Sequence, residues 1–124
     1  MKILVVIPGA APMEQEIDGS LGAMQAVVGG TIQAIYPFDD TVALICNEEG
    51  KNLGLPLNRA LFDPETQGII EIIAGTFFIC GAPAGSEAFA SLTEEQVRTY
   101  RRRFASPEQF IKVGGDIFLL PKYL

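Results

Sequence analysis

The chain has 124 residues, of which 48% are apolar, and its formal net charge at pH 7 is −6. This length suits one domain with a sizeable core, and the composition lacks the low hydrophobicity and high net charge of disordered chains. The acidic balance argues against general nucleic-acid binding and against docking on an anionic membrane, because both rely on clustered Lys and Arg. We therefore expect a single domain over residues 1–124.

The beginning of the chain predicts a buried strand and not an export signal. The apolar run Ile3–Ile7 is shorter than the apolar region of a typical signal peptide, and no run approaches the length that spans a bilayer. We therefore expect a cytoplasmic protein. Cys46 and Cys80 each lie in an apolar run without CxxC spacing, which favours buried, reduced thiols, although a disulfide between them stays open.

A polar edge strand and a short helix follow the first strand. The segment Met13–Ile17 alternates in polarity and suits a sheet edge, and Asp18 or Ser20 can cap a helix by accepting hydrogen bonds from its free N–H groups. Gly29-Gly30 supplies the left-handed ending that helices commonly use. The predicted buried stripe of this helix comprises Leu21, Met24, Val27 and Val28.

Two alternating segments then predict a β-hairpin, Thr31–Phe38 and Thr41–Asn47. In the first of them, period-two alternation places four side chains on one face: Ile32, Ala34, Tyr36 and Phe38. We expect Gly50 to take a positive φ in the turn that follows. The segment Leu53–Phe62 is predicted to be irregular, with a brief helix starting at Pro56.

Strands return in the second half of the chain. Ile69–Ile73 and Thr76–Gly81 are apolar β runs, and the Ala74-Gly75 break between them indicates a bulge or a bend. The last strand, Ile117–Leu120, follows a turn at Gly114-Gly115, and Pro107–Ile111 is predicted to be a short turn.

The clearest element of the sequence is a helix that begins after Thr93. Thr93 and Gln96 have the spacing of a capping box, and Ser106-Pro107 ends the helix. Its predicted buried stripe comprises Val97, Tyr100 and Phe104. Together the elements predict an α+β fold, with an antiparallel or mixed β-sheet and two helices packed against it in a single layer-pair core.

The sequence lacks the residues that most catalytic mechanisms require. The sequence has no histidine, no GxxxxGK[ST] loop and no GxGxxG after a strand, so histidine-based catalysis and these nucleotide-binding motifs are excluded. Asp39-Asp40 and Glu48-Glu49 suit either acid–base work or a divalent cation, or are simply solvated carboxylates in turns. We expect a protein that is not an enzyme and needs no cofactor.

Two polar segments are candidates for binding. The run Arg101-Arg102-Arg103 suits a phosphate or an acidic partner, or complements the negative end of its own helix. The segment from Cys46 to Arg59 is rich in donors and acceptors, which either form a binding site or cap turns and pair with nearby carboxylates. The candidate binding residues are Asn47, Glu48, Glu49, Asn58, Arg59, Arg101 and Arg102. If they form a site, replacing Arg59 weakens binding without unfolding the domain.

Several phrases of the sequence resemble one known family. They are Val28–Ile35, Ile45–Lys51, Gly54–Ala60, Ile73–Ile79 and Ser91–Gln96. Together these phrases resemble domain of unknown function 3846, over about Met1 to Leu120. The resemblance implies a small accessory protein of phages and bacterial mobile elements, in the host bacterial cytosol, and it carries no catalytic or binding residues to transfer.

Three hypotheses of function follow from the residues and the resemblance. In the first, the protein binds and inhibits or sequesters a host factor, as host-takeover or anti-defence proteins do. Its partner is a host protein held by an acidic surface, or a small phosphorylated ligand held in a pocket. In the second, the protein is an assembly module that forms homo-oligomers through an apolar edge at Ile117–Leu120 or Leu119–Leu124. The third is a carboxylate-dependent enzyme.

Overall fold

The computed structural model of the chain describes residues 1–120. Within this range the chain forms nine strands and two helices. The α+β class predicted from the sequence is therefore confirmed. The elements are β1 Lys2–Val6, β2 Met13–Glu16, α1 Leu21–Val28, β3 Ile32–Ile35, β4 Val42–Asn47, β5 Leu57–Phe62, β6 Ile69–Ala74, β7 Phe77–Gly81, α2 Glu94–Arg103, β8 Phe110–Val113 and β9 Asp116–Leu119.

Five strands form the main sheet, in the order β2-β1-β7-β4-β3, and each neighbouring pair is antiparallel. The predicted hairpin is β3–β4, and β2 lies at one edge with all four residues exposed. The other four strands form two separate hairpins, β5–β6 and β8–β9. β7 is central and fully buried, which explains why its sequence is a continuous apolar run and not an alternating one.

The core is divided between the two faces of the main sheet. On one face, Met24 and Val28 of α1 pack against side chains that include Phe78 and Cys80 of β7. On the opposite face, side chains of α2 and of the β5–β6 hairpin pack against a cluster that includes Phe77 of β7. The prediction of a single layer-pair core is not confirmed, because the two helices lie on opposite sides of the sheet.

The helix ends follow the predicted capping chemistry. The Ser20 hydroxyl accepts a hydrogen bond from the Ala23 N–H (3.1 Å), and Gly29 ends α1 in the left-handed conformation (φ 78°). At α2, Thr93 Oγ1 accepts from the Gln96 N–H (3.1 Å), while the Gln96 side chain accepts from the Thr93 N–H (3.0 Å). This reciprocal pair confirms the capping box. Neither helix in the described range is long and apolar enough to cross a membrane.

The alternation predicted beyond β3 is partly wrong. Ile32 and Ala34 pack against the cluster on the α1 side, as predicted, but Phe38 packs against the cluster on the α2 side. The reason is that β3 ends at Ile35, so period-two alternation no longer applies to the residues after it. Tyr36 is exposed.

The segment after β4 departs most from the sequence-based expectation. Leu57–Phe62 is a strand and not a helix, because β6 provides a pairing partner. Gly50 has no positive φ; that conformation is found at Gly54 (φ 69°). Gly50 is instead required by close packing, since a Cβ atom there would lie 2.5 Å from the carbonyl oxygen of Ala74. At the Ala74-Gly75 break, the chain turns at Gly75 (φ 84°) and enters the main sheet.

The region beyond α2 contains one more strand than predicted. Phe110–Val113 forms β8, so the predicted turn at Pro107–Ile111 is wrong in its last two residues. β8 pairs with β9 through the two-residue turn Gly114-Gly115, in which both residues have positive φ. This is the turn geometry that hairpins favour and that glycine adopts without strain. The predicted edge at Leu119–Leu124 lies mostly outside the described residues.

Candidate functional site: a cleft beside strand β6

The candidate residue Asn47 connects two segments of backbone. Its buried side chain donates a hydrogen bond from Nδ2 to the Val28 carbonyl (3.2 Å), and its Oδ1 accepts one from the Glu49 N–H (2.8 Å). The first bond satisfies a carbonyl at the end of α1, and the second shapes the turn after β4. The turn places the side chains of Glu48 and Glu49 in solvent.

Asn58 and Arg59 are fully buried in strand β5, where Asn58 lies at an irregularity in the pairing with β6. Asn58 Nδ2 donates to the carbonyls of Val6 (2.8 Å) and Gly75 (2.9 Å), and its Oδ1 accepts from Arg59 Nη1 (2.9 Å). Arg59 Nη2 donates to the carbonyls of Ala10 (2.7 Å) and Phe104 (2.9 Å). Asn58 Nδ2 and Arg59 Nη2 are thus committed to main-chain oxygens, so the pair holds the fold together.

The charge of Arg59 is buried beside an acidic residue that the sequence did not single out. Burial lowers the pKa of Arg59, and the carboxylate of Glu108 opposes that shift. Glu108 also accepts a hydrogen bond from the Ala60 N–H (2.9 Å), which fixes its position at the open edge of β5. Among the residues described, Arg59 Nε has no hydrogen-bond partner.

The side chains of the arginine run in α2 have other partners than Asn58 and Arg59. Arg101 forms an ion pair with Glu14 (3.3 Å), and the guanidinium of Arg103 lies 4.7 Å from the centre of the Phe38 ring. Arg102 is exposed. These side chains point to different partners, as expected for residues that fan around a helix, and they do not converge with Arg59 on one pocket.

A cleft of about 270 Å³ lies where the β5–β6 hairpin meets the main sheet. The turn after β4 forms one wall and β6 forms another, while the floor comes from the α2 side of β3 and β4. The lining residues are Gln33, Ile35, Cys46, Asn47, Glu48, Gly50, Lys51, Asn52, Glu71, Ile72, Ile73 and Ala74. Of the candidate residues predicted from the sequence, Asn47 and Glu48 are therefore placed in one site.

The rim of this cleft is charged and mainly acidic. Lys51 forms an ion pair with Glu71, and both side chains are well exposed. Glu48 and Glu49 lie in the same turn as Lys51 and are also exposed. The rim thus carries two carboxylates, Glu48 and Glu71, and one ammonium group, with Glu49 next to Glu48 in the turn. This balance favours a cationic ligand segment over an anionic one.

The wall formed by β6 has an open backbone edge. β6 pairs with β5 on one side only, and Ala60 of β5 lies opposite Ile72. Since the Ala60 N–H donates to Glu108, Ala60 and Ile72 form a non-hydrogen-bonded pair of the antiparallel ladder. The N–H and C=O of Ile72 therefore point away from β5, toward the open side. Ile69 and Ile70 beside it are 45% and 55% exposed.

The cleft is lined by one cysteine, Cys46. Burial raises the pKa of the Cys46 thiol, and Glu71 raises it further, so this cysteine is a poor nucleophile. Within residues 1–120 no group of three or more Cys, Asp and Glu side chains is placed to hold a metal ion. Cys46 and Cys80 are both free and buried, on opposite faces of the sheet, as reduced thiols; burial raises the pKa of Cys80 to about 12.

Four important residues of the cleft were not among the binding candidates predicted from the sequence: Gln33, Lys51, Glu71 and Ile72. One signal was present in the sequence. The run Ile69–Ala74 contains a single charged residue, Glu71, and no Pro or Lys of the kind that normally protects an edge strand. The spatial meeting of this run with the turn after β4 could not be read from spacing, because it depends on how the β5–β6 hairpin docks.

Comparison with known families gives one match. The model of a family described as a domain of unknown function, DUF3846, matches residues 1–105. The match ends two residues after α2, and so it covers less than the Met1–Leu120 range expected from the sequence phrases. Searches of curated proteins and of solved structures give no significant match.

Proposed function

The chain belongs to the DUF3846 family, and from that premise we propose that it is a non-catalytic accessory protein of phages or mobile elements. It binds a host protein in the bacterial cytosol and inhibits or sequesters it, as a host-takeover or anti-defence protein does. The observation that supports this proposal is the acidic-rimmed cleft beside the open edge of β6.

The acidity of the rim suits a particular kind of host surface. A host protein that binds nucleic acid presents Lys and Arg in its groove, and carboxylates in complementary positions favour encounter and correct register. Glu48, Glu49 and Glu71 are exposed along one wall and the turn beside it. The net charge of the whole chain, −6, acts in the same direction.

The alternative ligand, a small phosphorylated compound, has less support. A phosphate site needs convergent, available cations or N–H groups. Arg59 is fully buried and bonded to main-chain carbonyls, and Arg101 is paired with Glu14. We therefore place the protein partner ahead of the phosphorylated ligand.

Affinity capture from a bacterial lysate tests the proposal. The wild-type protein is compared with the variant Glu48→Gln/Glu49→Gln, and the matched control is Glu87→Gln/Glu95→Gln, which loses the same charge at exposed positions outside the cleft. We expect the wild type and the control to retain a host protein that the cleft variant loses.

Native mass spectrometry of the gently purified protein decides between the two ligand classes. A co-purifying small mass that is lost on denaturation would contradict the protein-partner form and identify the ligand. Capture that is equal for the cleft variant and the control would show that the cleft is not the binding site.

A second candidate function, homo-oligomeric assembly, is favoured by the β8–β9 hairpin. Ile111 and Phe118 lie opposite each other on this hairpin and are 41% and 54% exposed. An isolated two-stranded hairpin is marginally stable and gains from packing its apolar face on another surface. Light scattering over a range of concentrations tests this: we expect self-association of the wild type and a loss of it in Ile111→Thr/Phe118→Thr, whereas a monomeric wild type would exclude it.

A further inference from the structure

We propose that the cleft binds an extended peptide segment of the partner, rich in Lys or Arg, which adds as a further strand to the open edge of β6. This inference rests on the protein-binding function proposed above. It deepens that function by naming the class of ligand and the way in which the ligand is held.

The first argument is the backbone of β6. The N–H and C=O of Ile72 point to the open side, because the Ala60–Ile72 pair is of the non-hydrogen-bonded kind. The pairing of β5 with β6 is irregular beyond the Leu61–Glu71 pair, so this direction is assigned to Ile72 alone. A strand laid along this edge can exchange main-chain hydrogen bonds with the N–H and C=O of Ile72, which is the basis of peptide recognition by strand addition.

The second argument is that this edge lacks the protection given to the edges of β5 and β2. The edge of β5 is covered at Ala60 by Glu108, and the outer edge strand β2 carries Glu14 and Glu16 among its four residues. β6 has the sequence IIEIIA, with two exposed isoleucines. An apolar β-prone edge without Lys or Pro is what an added strand requires.

The third argument is charge. Glu71 lies within β6, and Glu48 lies in the turn after β4 that lines the same cleft, with the exposed Glu49 next to it. Lys51 neutralises part of this charge through its ion pair with Glu71. An incoming Lys or Arg side chain competes with Lys51 for Glu71 and has Glu48 within the same rim. The ligand is therefore an extended segment in which cations alternate with β-branched residues.

The probes for the test are synthetic peptides in which Val and Thr alternate with Lys. Binding is followed by NMR, through the chemical shifts and the hydrogen exchange of backbone amides. We expect shifts confined to the turn after β4 and to β6, and slower exchange of the amide of Ile72. Replacing Lys by Glu in the peptide should abolish binding.

Two N-methylated forms of the peptide make the test specific for strand addition. One form carries methyl groups on the amides at even positions and the other on those at odd positions, so only one of them blocks the peptide edge that faces β6. We expect one form to lose binding by about tenfold or more while the other binds like the parent peptide. This comparison needs no change to the protein, so it does not depend on the folding of a variant.

Variants of the chain add a check on the charge. Glu71→Gln should weaken binding of the Lys peptide by about two- to fivefold, as expected for one exposed ion pair, whereas Glu95→Gln should leave it unchanged. Equal binding of both N-methylated forms, with shifts still in the cleft, would overturn strand addition and leave the protein-binding function standing. Absence of any shift in β6 with all the peptides would overturn the inference. The proposed protein-binding function would then be tested separately by the capture experiment.

Discussion

Two neighbouring buried residues, Asn58 and Arg59, connect parts of the chain that are far apart in sequence. Through their side chains, β5 is tied to the end of β1 at Val6, to the loop at Ala10 and to the end of α2 at Phe104. A planar guanidinium can serve several carbonyls at once because its donors point in fixed, divergent directions. The polar side chains of Asn58 and Arg59 therefore hold segments of the fold together and do not form an exposed binding site.

Replacing Arg59 by Ala should therefore destabilise the fold, contrary to the expectation from sequence that only binding would suffer. The change leaves the carbonyls of Ala10 and Phe104 and the Asn58 side chain without their donors, at a cost of roughly 3 kcal/mol or more in the free energy of unfolding. Urea denaturation measures this cost. Arg98→Ala, on the exposed surface of α2, is the control and should change stability by less than about 0.5 kcal/mol. An unchanged urea midpoint for Arg59→Ala would refute the structural role.

Position 50 requires glycine because there is no room for a side chain, and not because of its backbone conformation. In Gly50→Ala, the new Cβ meets the carbonyl oxygen of Ala74 at 2.5 Å, so the turn must move away from β6. We expect a loss of about 1–3 kcal/mol in stability. The same substitution at Gly22, in α1, meets no atom within 4 Å and should stabilise the protein by up to about 1 kcal/mol. Thermal unfolding of the two variants gives shifts of opposite sign if this is correct.

At the scale of elements, α2 is held by its capping chemistry and by the turn before β4. The Tyr100 hydroxyl donates to Asp40 Oδ2 (2.8 Å), and Gln96, already part of the capping box, donates to Asp40 Oδ1 (3.3 Å). The Phe38 ring lies against the ring of Tyr100, with 4.9 Å between their centres. A single short turn therefore fixes the helix at two successive positions of its inner face.

The docking of α2 should depend on pH through Asp40. Burial alone would raise the pKa of this carboxyl, but hydrogen bonds from Tyr100, Thr41 and Gln96 outweigh it and hold the pKa below its ordinary value of 3.8. A carboxyl with a lowered pKa stabilises the fold above its unfolded pKa, and that contribution is lost as the pH falls through the folded pKa. The contribution of Asp40 is therefore complete at pH 7 and declines below about pH 3.8.

Comparison of Asp40→Asn with the wild type checks this dependence. The stability difference between the two should be largest near neutral pH and should shrink as the pH is lowered below about 3.8. Asp39→Asn changes the neighbouring exposed carboxyl and is the matched control. A stability difference for Asp40→Asn that is the same at pH 7 and in acid would show that the carboxylate charge plays no part in holding α2.

At the scale of the whole molecule, the main sheet separates two core clusters. Residues before position 105 contribute buried side chains to both clusters. Within residues 1–120, no buried residue of either cluster lies beyond Phe104. The described segment that follows α2 contributes Glu108 at the edge of β5 and the exposed β8–β9 hairpin. This division agrees with the extent of the family match, which covers residues 1–105.

Truncation should reveal this division. A chain that ends at Gln109 keeps both core clusters and the Glu108–Ala60 hydrogen bond, so we expect its stability to lie within about 1 kcal/mol of the full chain. A chain that ends at Ala105 loses Glu108 and leaves the charge of Arg59 without its acidic neighbour, at a further cost of roughly 1–3 kcal/mol. Denaturant unfolding of both chains gives the comparison; a large loss already at Gln109 would mean that the hairpin stabilises the core.

The sequence predicts elements well where local chemistry decides them. Ser20, Gly29, Thr93 and Gln96 act through hydrogen bonds within a few residues, so both helices were located correctly. β5 was missed because its strand character comes from pairing with β6 and its polar pair Asn58-Arg59 resembles a loop. The acidic side of the site was predicted at Glu48 and Glu49, but Glu71 and Ile72 reach it only through the docking of a hairpin, which no local signal encodes.

The central place of β7 has a consequence for how the protein is made. β1 and β4 do not pair with each other, since β7 lies between them and bonds to both. A ribosome that has released the first two strands, α1 and the β3–β4 hairpin has therefore released two pieces of the main sheet, β1–β2 and β3–β4, that do not pair with each other. Their apolar edges must wait for residues 77–81 to emerge, and during that interval they are open to wrong pairing or to a chaperone.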